Sequence, residues 1–304
     1  MNEILVYGHK NPDTDAITAA YIMANLQNKL GKNAVACRLG NLNKETKFVF
    51  DYLKLEEPRL IDNVAGKDVI LVDHNEFTQS ADGVEEANIK MVVDHHRIAN
   101  FQTAEPLYYR AEPVGCTSTI LAKLYKENNV EITREIAVLM VSAICSDTLL
   151  FKSPTCTKED EETARSLAKF AGINIEEYGL EMLKAGTDLS DLTAKELINL
   201  DAKPFTMNGQ KVKIAQVSTA SIKDMLTRKE EIENAMNEEI AEEGLDLFFV
   251  AITDVINSDS QVVALGNKAL VEKAFNVTLE NNTAFLPGVV SRKKQIVPVL
   301  EKNA

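Results

Sequence analysis

The chain has 304 residues, 45% of them hydrophobic and 26% charged, with a formal net charge of −13. At about 150 residues per domain, this length suits two domains with ordinary globular cores. The acidic balance argues against a polyanion-binding face and so against a nucleic-acid partner, and no apolar run reaches the roughly 18 residues of a membrane span.

The N-terminus shows no basic region followed by an apolar core, so no signal peptide is expected and the cytoplasm is the expected location. The four cysteines, Cys37, Cys116, Cys145 and Cys156, form no C-x2-C pair and are expected to be reduced, buried thiols.

In chain order, Ile4–Tyr7, Ala34–Arg38, Val69–Val72 and Met91–Val93 read as short strands. Helical patterns fall at Ala16–Leu30, Thr46–Leu55, Thr117–Lys126 and Arg134–Ile144, and the apolar run Ile136–Cys145 predicts a buried helix. Strands alternating with helices predict a mostly parallel sheet flanked by helices. The polar stretch TDLSDLT, Thr187–Thr193, lies between helical patterns and is the expected linker. Beyond it, Phe205–Met207 and Val212–Val217 flank Asn208-Gly209, a hairpin signal. A Glu-rich helix at Arg228–Glu242, strands Leu247–Thr253 and Val262–Leu265, and a helix at Lys268–Phe275 follow. The expected fold is α/β: residues 1–187 as a parallel-sheet domain, a linker at 188–193, and residues 194–304 as a smaller mixed α/β domain. The active site is expected in the cleft between the two domains.

Four stretches carry potential chemistry. VYGHKNPDTDA holds His9, Asp13 and Asp15 directly after the first strand. Asp73-His74-Asn75-Glu76 ends the Val69–Val72 strand, Asp94-His95-His96 ends the Met91–Val93 strand, and Asp147 closes the apolar helix. Ligands of open parallel sheets bind beyond the carboxyl ends of the strands, where three of these stretches fall. Singly, each residue has an ordinary reading: Asp13 or Asp15 as a helix N-cap, Asp147 as a capping or solvated group, a strand-end histidine as a hydrogen-bonded structural residue. Collectively they do not, because all four histidines of the chain lie in these stretches, each within four residues of an aspartate.

Imidazoles and carboxylates without thiolate suit Mn²⁺, Co²⁺, Fe²⁺ or Zn²⁺. The groups outnumber the needs of one ion with an open position, which points to two ions about 3.5–4 Å apart with Asp73 as the central bridging candidate. If strand geometry persists through His95 and His96, side-chain alternation keeps the two imidazoles from coordinating one ion, and spacing does not say which is the ligand. At the far end, LPGVVSRKKQ places Arg292, Lys293 and Lys294 in an otherwise acidic chain. With Lys203 of DAKPF they would supply local cations for an anionic substrate, although a surface lysine and a solvated basic segment are their ordinary readings.

The motifs VYGHKNPDTDA, VDHNE, VVDHHR and SRKKQ resemble those of the family II, manganese-dependent inorganic pyrophosphatases of the DHH phosphoesterase superfamily. The resemblance covers essentially the whole chain. DHH alone indicates the superfamily, and SRKKQ narrows it. The resemblance implies hydrolysis of pyrophosphate to two phosphates by a water or hydroxide activated by two metal ions. It implies His9, Asp13 and Asp73 as ligands of one ion and Asp15, Asp73, His95 and Asp147 as ligands of the other. It also implies His96 beside the substrate's bridging oxygen, with Asp73 and His96 as catalytic groups, and Lys203, Arg292 and Lys293 as phosphate-holding residues. His74 and Asp94 would orient the ligands. The implied cofactors are two Mn²⁺, with Co²⁺ as an alternative, and Mg²⁺ arriving with the substrate. A homodimer is implied as well, and closure about Thr187–Thr193 would assemble the site. Two other readings stand beside this one: a DHH phosphoesterase acting on short oligonucleotides or polyphosphate, and a metal-dependent binding protein without activity. The chain has no Gly-Gly pair, which weighs against the nuclease-type members.

Overall fold

The computed structural model describes residues 2–304. It divides into two compact units, Met1–Gly186 and Thr187–Ala304. The first begins with β1 (Ile4–Tyr7), α1 (Thr14–Lys29), β2 (Ala34–Arg38), α2 (Lys44–Leu53) and β3 (Arg59–Leu60). It continues with β4 (Asp68–Val72), β5 (Asn88–Asp94) and β6 (Tyr108–Ala111), then α3 (Thr117–Glu127), α4 (Arg134–Asp147), α5 (Lys158–Ala171) and α6 (Ile175–Gly186).

The six strands form one sheet in the order β3-β2-β1-β4-β5-β6, and every neighbouring pair is parallel. Both faces of such a sheet must be covered, and both are. Leu5, Tyr7, Val69, Leu71 and Val92 share one apolar cluster, while the alternating residues Val6, Ile70, Val72 and Val93 are equally buried. The chain order turns back on itself between β1 and β4, and that reversal opens the crevice in which ligands of doubly wound sheets sit.

Helix α1 starts at Thr14, two residues before the pattern of apolar residues suggests, because the Asp13 side chain accepts a hydrogen bond from the Ala16 amide and caps it. Helix α4 is buried without interruption from Ile136 to Cys145, so its periodicity is weak and its apolar run is the informative signal. Truncating one of its large apolar side chains costs about 2–5 kcal/mol. Strand–helix alternation does not hold to the end of this unit: four helices in succession follow β6. The short strands β3 and β6, not expected from the sequence, are edge strands, β3 exposed and β6 half-exposed. Cys37, Cys116 and Cys145 are buried free thiols, whereas Cys156 is only half-buried.

The second unit carries α7 (Ala194–Asn199), β7 (Ala202–Met207), β8 (Gln210–Thr219), α8 (Ile222–Leu226), α9 (Lys229–Glu243), β9 (Leu247–Asp254) and β10 (Asp259–Gly266). It ends with α10 (Lys268–Phe275), β11 (Thr283–Leu286), a π-helical turn at Arg292–Ile296 and α11 (Val297–Asn303). Its sheet has the order β11-β10-β9-β8-β7, antiparallel except for the β8–β9 pair, which is joined through α8 and α9. Asn208 and Gly209 turn the β7–β8 hairpin with φ of 47° and 82°, the doubly left-handed geometry that this pair favours. Residues 187–193 are neither helix nor strand, and Thr193 opens α7 through a reciprocal cap with Glu196. No helix among the described residues is long and apolar enough to cross a membrane.

Candidate metal centre

In the first unit, the ends of β1, β4 and β5 and of α4 bring His9, Asp13, Asp15, Asp73, His95, His96 and Asp147 together. His9 Nε2 lies 3.5 Å from Asp13 Oδ2 and 3.5 Å from Asp73 Oδ2. His95 Nε2 lies 3.3 Å from the other Asp73 oxygen, Oδ1, and 3.8 Å from Asp147 Oδ2. Donor atoms of His9, Asp13 and Asp73 are mutually within 4.8 Å, as are those of Asp15, Asp73, His95 and Asp147. Asp73 belongs to both sets and faces each with a different oxygen. It sits just past β4 with φ of 58°, a left-handed conformation that aspartate tolerates better than most residues.

Backbone carbonyls fix the two imidazoles that face Asp73. His9 Nδ1 is 2.8 Å from the Lys10 carbonyl, and His95 Nδ1 is 3.0 Å from that of Val114. A carbonyl only accepts, so each Nδ1 carries the proton and each Nε2 is left to bind a cation. The strand ends at Asp94, so alternation does not reach the DHH histidines. The His95 and His96 rings lie side by side, 4.2 Å apart, and the condition that would have separated them fails. They differ in their partners instead, because His96 Nδ1 is held at 2.9 Å by Asp94 Oδ1. Asn75 holds the other Asp94 oxygen at 2.6 Å and also binds the Arg97 carbonyl and the Ala99 amide. His74 is turned away, between the Val72 carbonyl and Ser80 Oγ, and burial lowers its pKa to about 4. It is a neutral structural residue that braces the segment around Asp73.

The carboxylates are placed against helix ends. Asp15 accepts from the Thr117 amide at 2.8 Å and from Ser118 Oγ at 3.0 Å at the start of α3, while Thr117 Oγ1 donates to Asp73. The dipole at that helix start favours negative charge. Asp147 has the opposite setting. It is the last residue of α4, where the dipole opposes a carboxylate, and its buried Oδ2 has no hydrogen-bond partner. Burial, then Asp15 and Asp73, push its pKa well up, and burial with Asp73 raises Asp15 to about 7. Burial works against charge on His9 too, but Asp13 and Asp73 prevail and raise it to about 11; at His95, Asp73 overrides burial and the value rises to about 9. The cluster therefore holds protons in place of positive charge, and an orphaned buried carboxylate oxygen within it fits a divalent cation.

A left-handed turn follows Asp147. Leu149, Leu150 and Phe151 have φ of 47°, 52° and 69°, at a cost of about 1–2 kcal/mol for each non-glycine residue. The turn is fixed by the amides of Leu149, Leu150 and Phe151, bonded to the Ser146 and Cys145 carbonyls and to Thr148 Oγ1. Leu150 packs where a Cβ on Gly179 would stand 2.4 Å from its Cδ2. A cavity of about 430 Å³ opens over the cluster, lined by Asp13, Asp73, His95, His96 and Asp147 and also by Arg97. The hydroxyl run Thr117-Ser118-Thr119 was missed in the sequence, although three hydroxyls at a predicted helix start are a readable signal. Asn75 left no comparable signal.

Lys203, Arg292 and Lys293 lie in the second unit. Arg292 and Lys293 open the π-helical turn, which Ser291 caps. Gln216 of β8 accepts from the Arg292 amide and donates to the Val290 carbonyl, which docks the segment on the sheet. The Arg292 guanidinium binds the carbonyl oxygen of Asp201 at 2.5 Å and its carboxylate at 2.8 Å. Asp201 is two residues from Lys203, so the two cations share a neighbourhood, and Lys203 and Lys293 are exposed.

The doubly wound parallel sheet gathers these aspartates and histidines at its switch point, where ligands of such sheets bind, which defines a candidate metal-dependent enzyme. The DHH family, N-terminal domain, matches residues 3–144, and the DHHA2 domain matches residues 180–303. A manganese-dependent inorganic pyrophosphatase of Bacillus subtilis is 60% identical over 303 residues, covering 99% of this chain and 98% of the relative. An Exiguobacterium relative assigned to the same family is 59% identical over 307 residues, covering 100% and 99%. A crystal structure from Methanococcus jannaschii, assigned to the family II inorganic pyrophosphatases, is 44% identical with a TM-score of 0.62 and covers 99% of both chains. The chain belongs to the manganese-dependent, family II inorganic pyrophosphatases, a family of hydrolases.

Proposed function

We propose that this enzyme hydrolyses inorganic pyrophosphate to two phosphates at a centre of two Mn²⁺ ions. The observation that carries the reading is Asp73, whose two oxygens face two separate donor sets. His9, Asp13 and Asp73 hold one ion, and Asp15, Asp73, His95 and Asp147 hold the other. When bound, the ions would supply Lewis acidity, which lowers the pKa of coordinated water from 15.7 to roughly 7–9. Asp73 fixes the spacing of the two sites, and the hydrogen bonds from Thr117 and Ser118 keep Asp73 and Asp15 aimed without using all of their lone pairs. His96, with Nδ1 engaged by Asp94, offers Nε2 to the bridging oxygen of the substrate.

Lys203, Arg292 and Lys293 bind the phosphate oxygens. Arg292 does so as an oriented fork, because Asp201 already holds its guanidinium, whereas the exposed lysines act as point charges. Positioning and charge compensation dominate phosphoryl transfer, which suits a site that contains no other strong nucleophile. Mg²⁺ accompanies the substrate, Co²⁺ replaces Mn²⁺ in the same donor set, and the enzyme acts in the cytoplasm as a homodimer. The net charge of −13 leaves nucleic acid outside its substrates.

The test is to strip the protein of metal, restore Mn²⁺ with Mg²⁺, and follow phosphate release from pyrophosphate, a dinucleotide and a long polyphosphate. Fast metal-dependent release from pyrophosphate alone is expected. Release chiefly from either of the others overturns the substrate, and no release from any of them despite bound metal overturns the enzymatic reading.

A further inference from the structure

Glu45 lies in the first turn of α2, where an acidic residue ordinarily faces solvent and favours the helix dipole. Here its side chain turns inward. One oxygen, Oε1, accepts two hydrogen bonds, from Thr14 Oγ1 at 2.5 Å and from Ser146 Oγ at 2.5 Å. Thr14 stands between Asp13 and Asp15 in the first turn of α1, and Ser146 immediately precedes Asp147 in the last turn of α4. The two helices also pack directly on one another, and at the ends that carry the aspartates Glu45 gives them a shared acceptor. A third segment closes around the same side chain, since a Cβ on Gly186, the last residue of α6, would stand 2.9 Å from Glu45 Cβ and 3.1 Å from Oε2. The absent side chain there leaves Glu45 its room.

We infer that Glu45 is a positioning residue that staples the start of α1 to the end of α4 and thereby sets the gap between Asp15 and Asp147. The inference rests on the two-ion reading above, in which these two aspartates share one ion. The other ion takes His9, Asp13 and Asp73, none of which comes from α4. The start of α1 carries Asp13 as well as Asp15, but only the second site also draws on α4, so loss of the staple falls chiefly on that site. Its action is geometric, because Glu45 touches no ligand and what it supplies is an acceptor oxygen at a fixed point. An amide oxygen at that point does the same work.

The experiment titrates metal-stripped protein with Mn²⁺ by calorimetry, with circular dichroism melting curves to verify folding. In wild type two binding steps are expected; fewer than two sinks the two-ion reading itself. Glu45→Ala should weaken one step about tenfold and leave the other within about threefold, the scale of support lost behind metal ligands. Glu45→Gln should keep both steps within about threefold of wild type. Unchanged binding in Glu45→Ala, equal weakening of both steps, or a Glu45→Gln defect as large as that of Ala would overturn the staple while leaving the two-ion centre standing. Should Glu45→Ala fail to fold, Ser146→Ala removes one arm alone. A smaller loss in the same single step, about threefold, is then expected, and no loss overturns the inference.

Discussion

The two units hold their charged groups in opposite ways. In the first, Asp15 and Asp73 are buried and His9, Asp13, His95 and Asp147 are half-buried. All but Asp147 are held by a helix amide, a hydroxyl or a backbone carbonyl. In the second, Lys203 and Lys293 are exposed, and only Arg292 has its direction set by neighbours. Buried like charges must be rigidly supported because a divalent cation demands donors at set distances, and each misplaced one is costly. A phosphate group accepts charge from many directions, so flexible ammonium groups serve it. Rigidity goes where the chemistry is intolerant of error.

The contrast is broken most severely at Asp73. Asp73→Ala removes a donor from both sets, and we expect loss of both Mn²⁺ ions in a metal assay and a fall in turnover of about a thousandfold or more. Substitutions in the second unit should spare metal uptake. Arg292→Ala is expected to lower kcat/KM for pyrophosphate about a hundredfold, and Lys203→Ala about tenfold, mainly through KM. A loss of bound Mn²⁺ in either variant would erase the distinction between the units.

Protons sharpen the comparison next. His9 and His95, raised to about 11 and about 9, are charged at pH 7 without metal and must become neutral to bind it. Mn²⁺ uptake at pH 7 should therefore release the two imidazole protons together with carboxyl protons from Asp147 and, in part, Asp15, more than two in all, and affinity should climb as pH rises toward about 9. Calorimetry in buffers of different ionisation enthalpy counts them. In the metal-free protein the sign is the reverse. Raised pKa values stabilise the fold fully below the ordinary histidine value of about 6.5, and that contribution is lost as pH rises through about 9 and then 11. Metal-free protein should accordingly melt lower at pH 9.5 than at pH 6.5, and metal-loaded protein should lack this trend. The smallest effect is steric: Gly179→Ala crowds Leu150 in the left-handed turn beside Asp147 and should cost about 1–3 kcal/mol in denaturant unfolding.

Much of the first unit was legible because its signals are local. Apolar runs mark β1, β4 and β5, the residues just past them carry the donors proposed for the ions, and a parallel sheet gathers strand ends by construction. The hairpin at Asn208-Gly209 was readable for the same reason. What escaped depends on tertiary fit. Strands β3 and β6 are held by a neighbour's edge, with no amphipathic pattern of their own. The turn at Leu149–Phe151 uses no glycine or asparagine, so nothing in its letters announces left-handed backbone. Both imidazoles of the DHH motif face one side because β5 stops at Asp94, and strand periodicity says nothing about where a strand stops. Glu45 reads as an ordinary first-turn acid until α1 and α4 are placed against it.

The donors proposed for the two ions are also spread along the chain in a way that bears on biosynthesis. The set of His9, Asp13 and Asp73 can close once β1 and β4 have paired, but the set containing Asp147 waits for α4, the last of these segments to leave the ribosome. A nascent chain can thus acquire its metal sites in sequence, and the second records that the first unit has folded through to α4. An ion that binds only the finished arrangement pulls the folding equilibrium toward it, by about 2.7 kcal/mol at a hundredfold excess over Kd. Manganese supply would then govern how much of this enzyme survives in the cell as well as how fast it works.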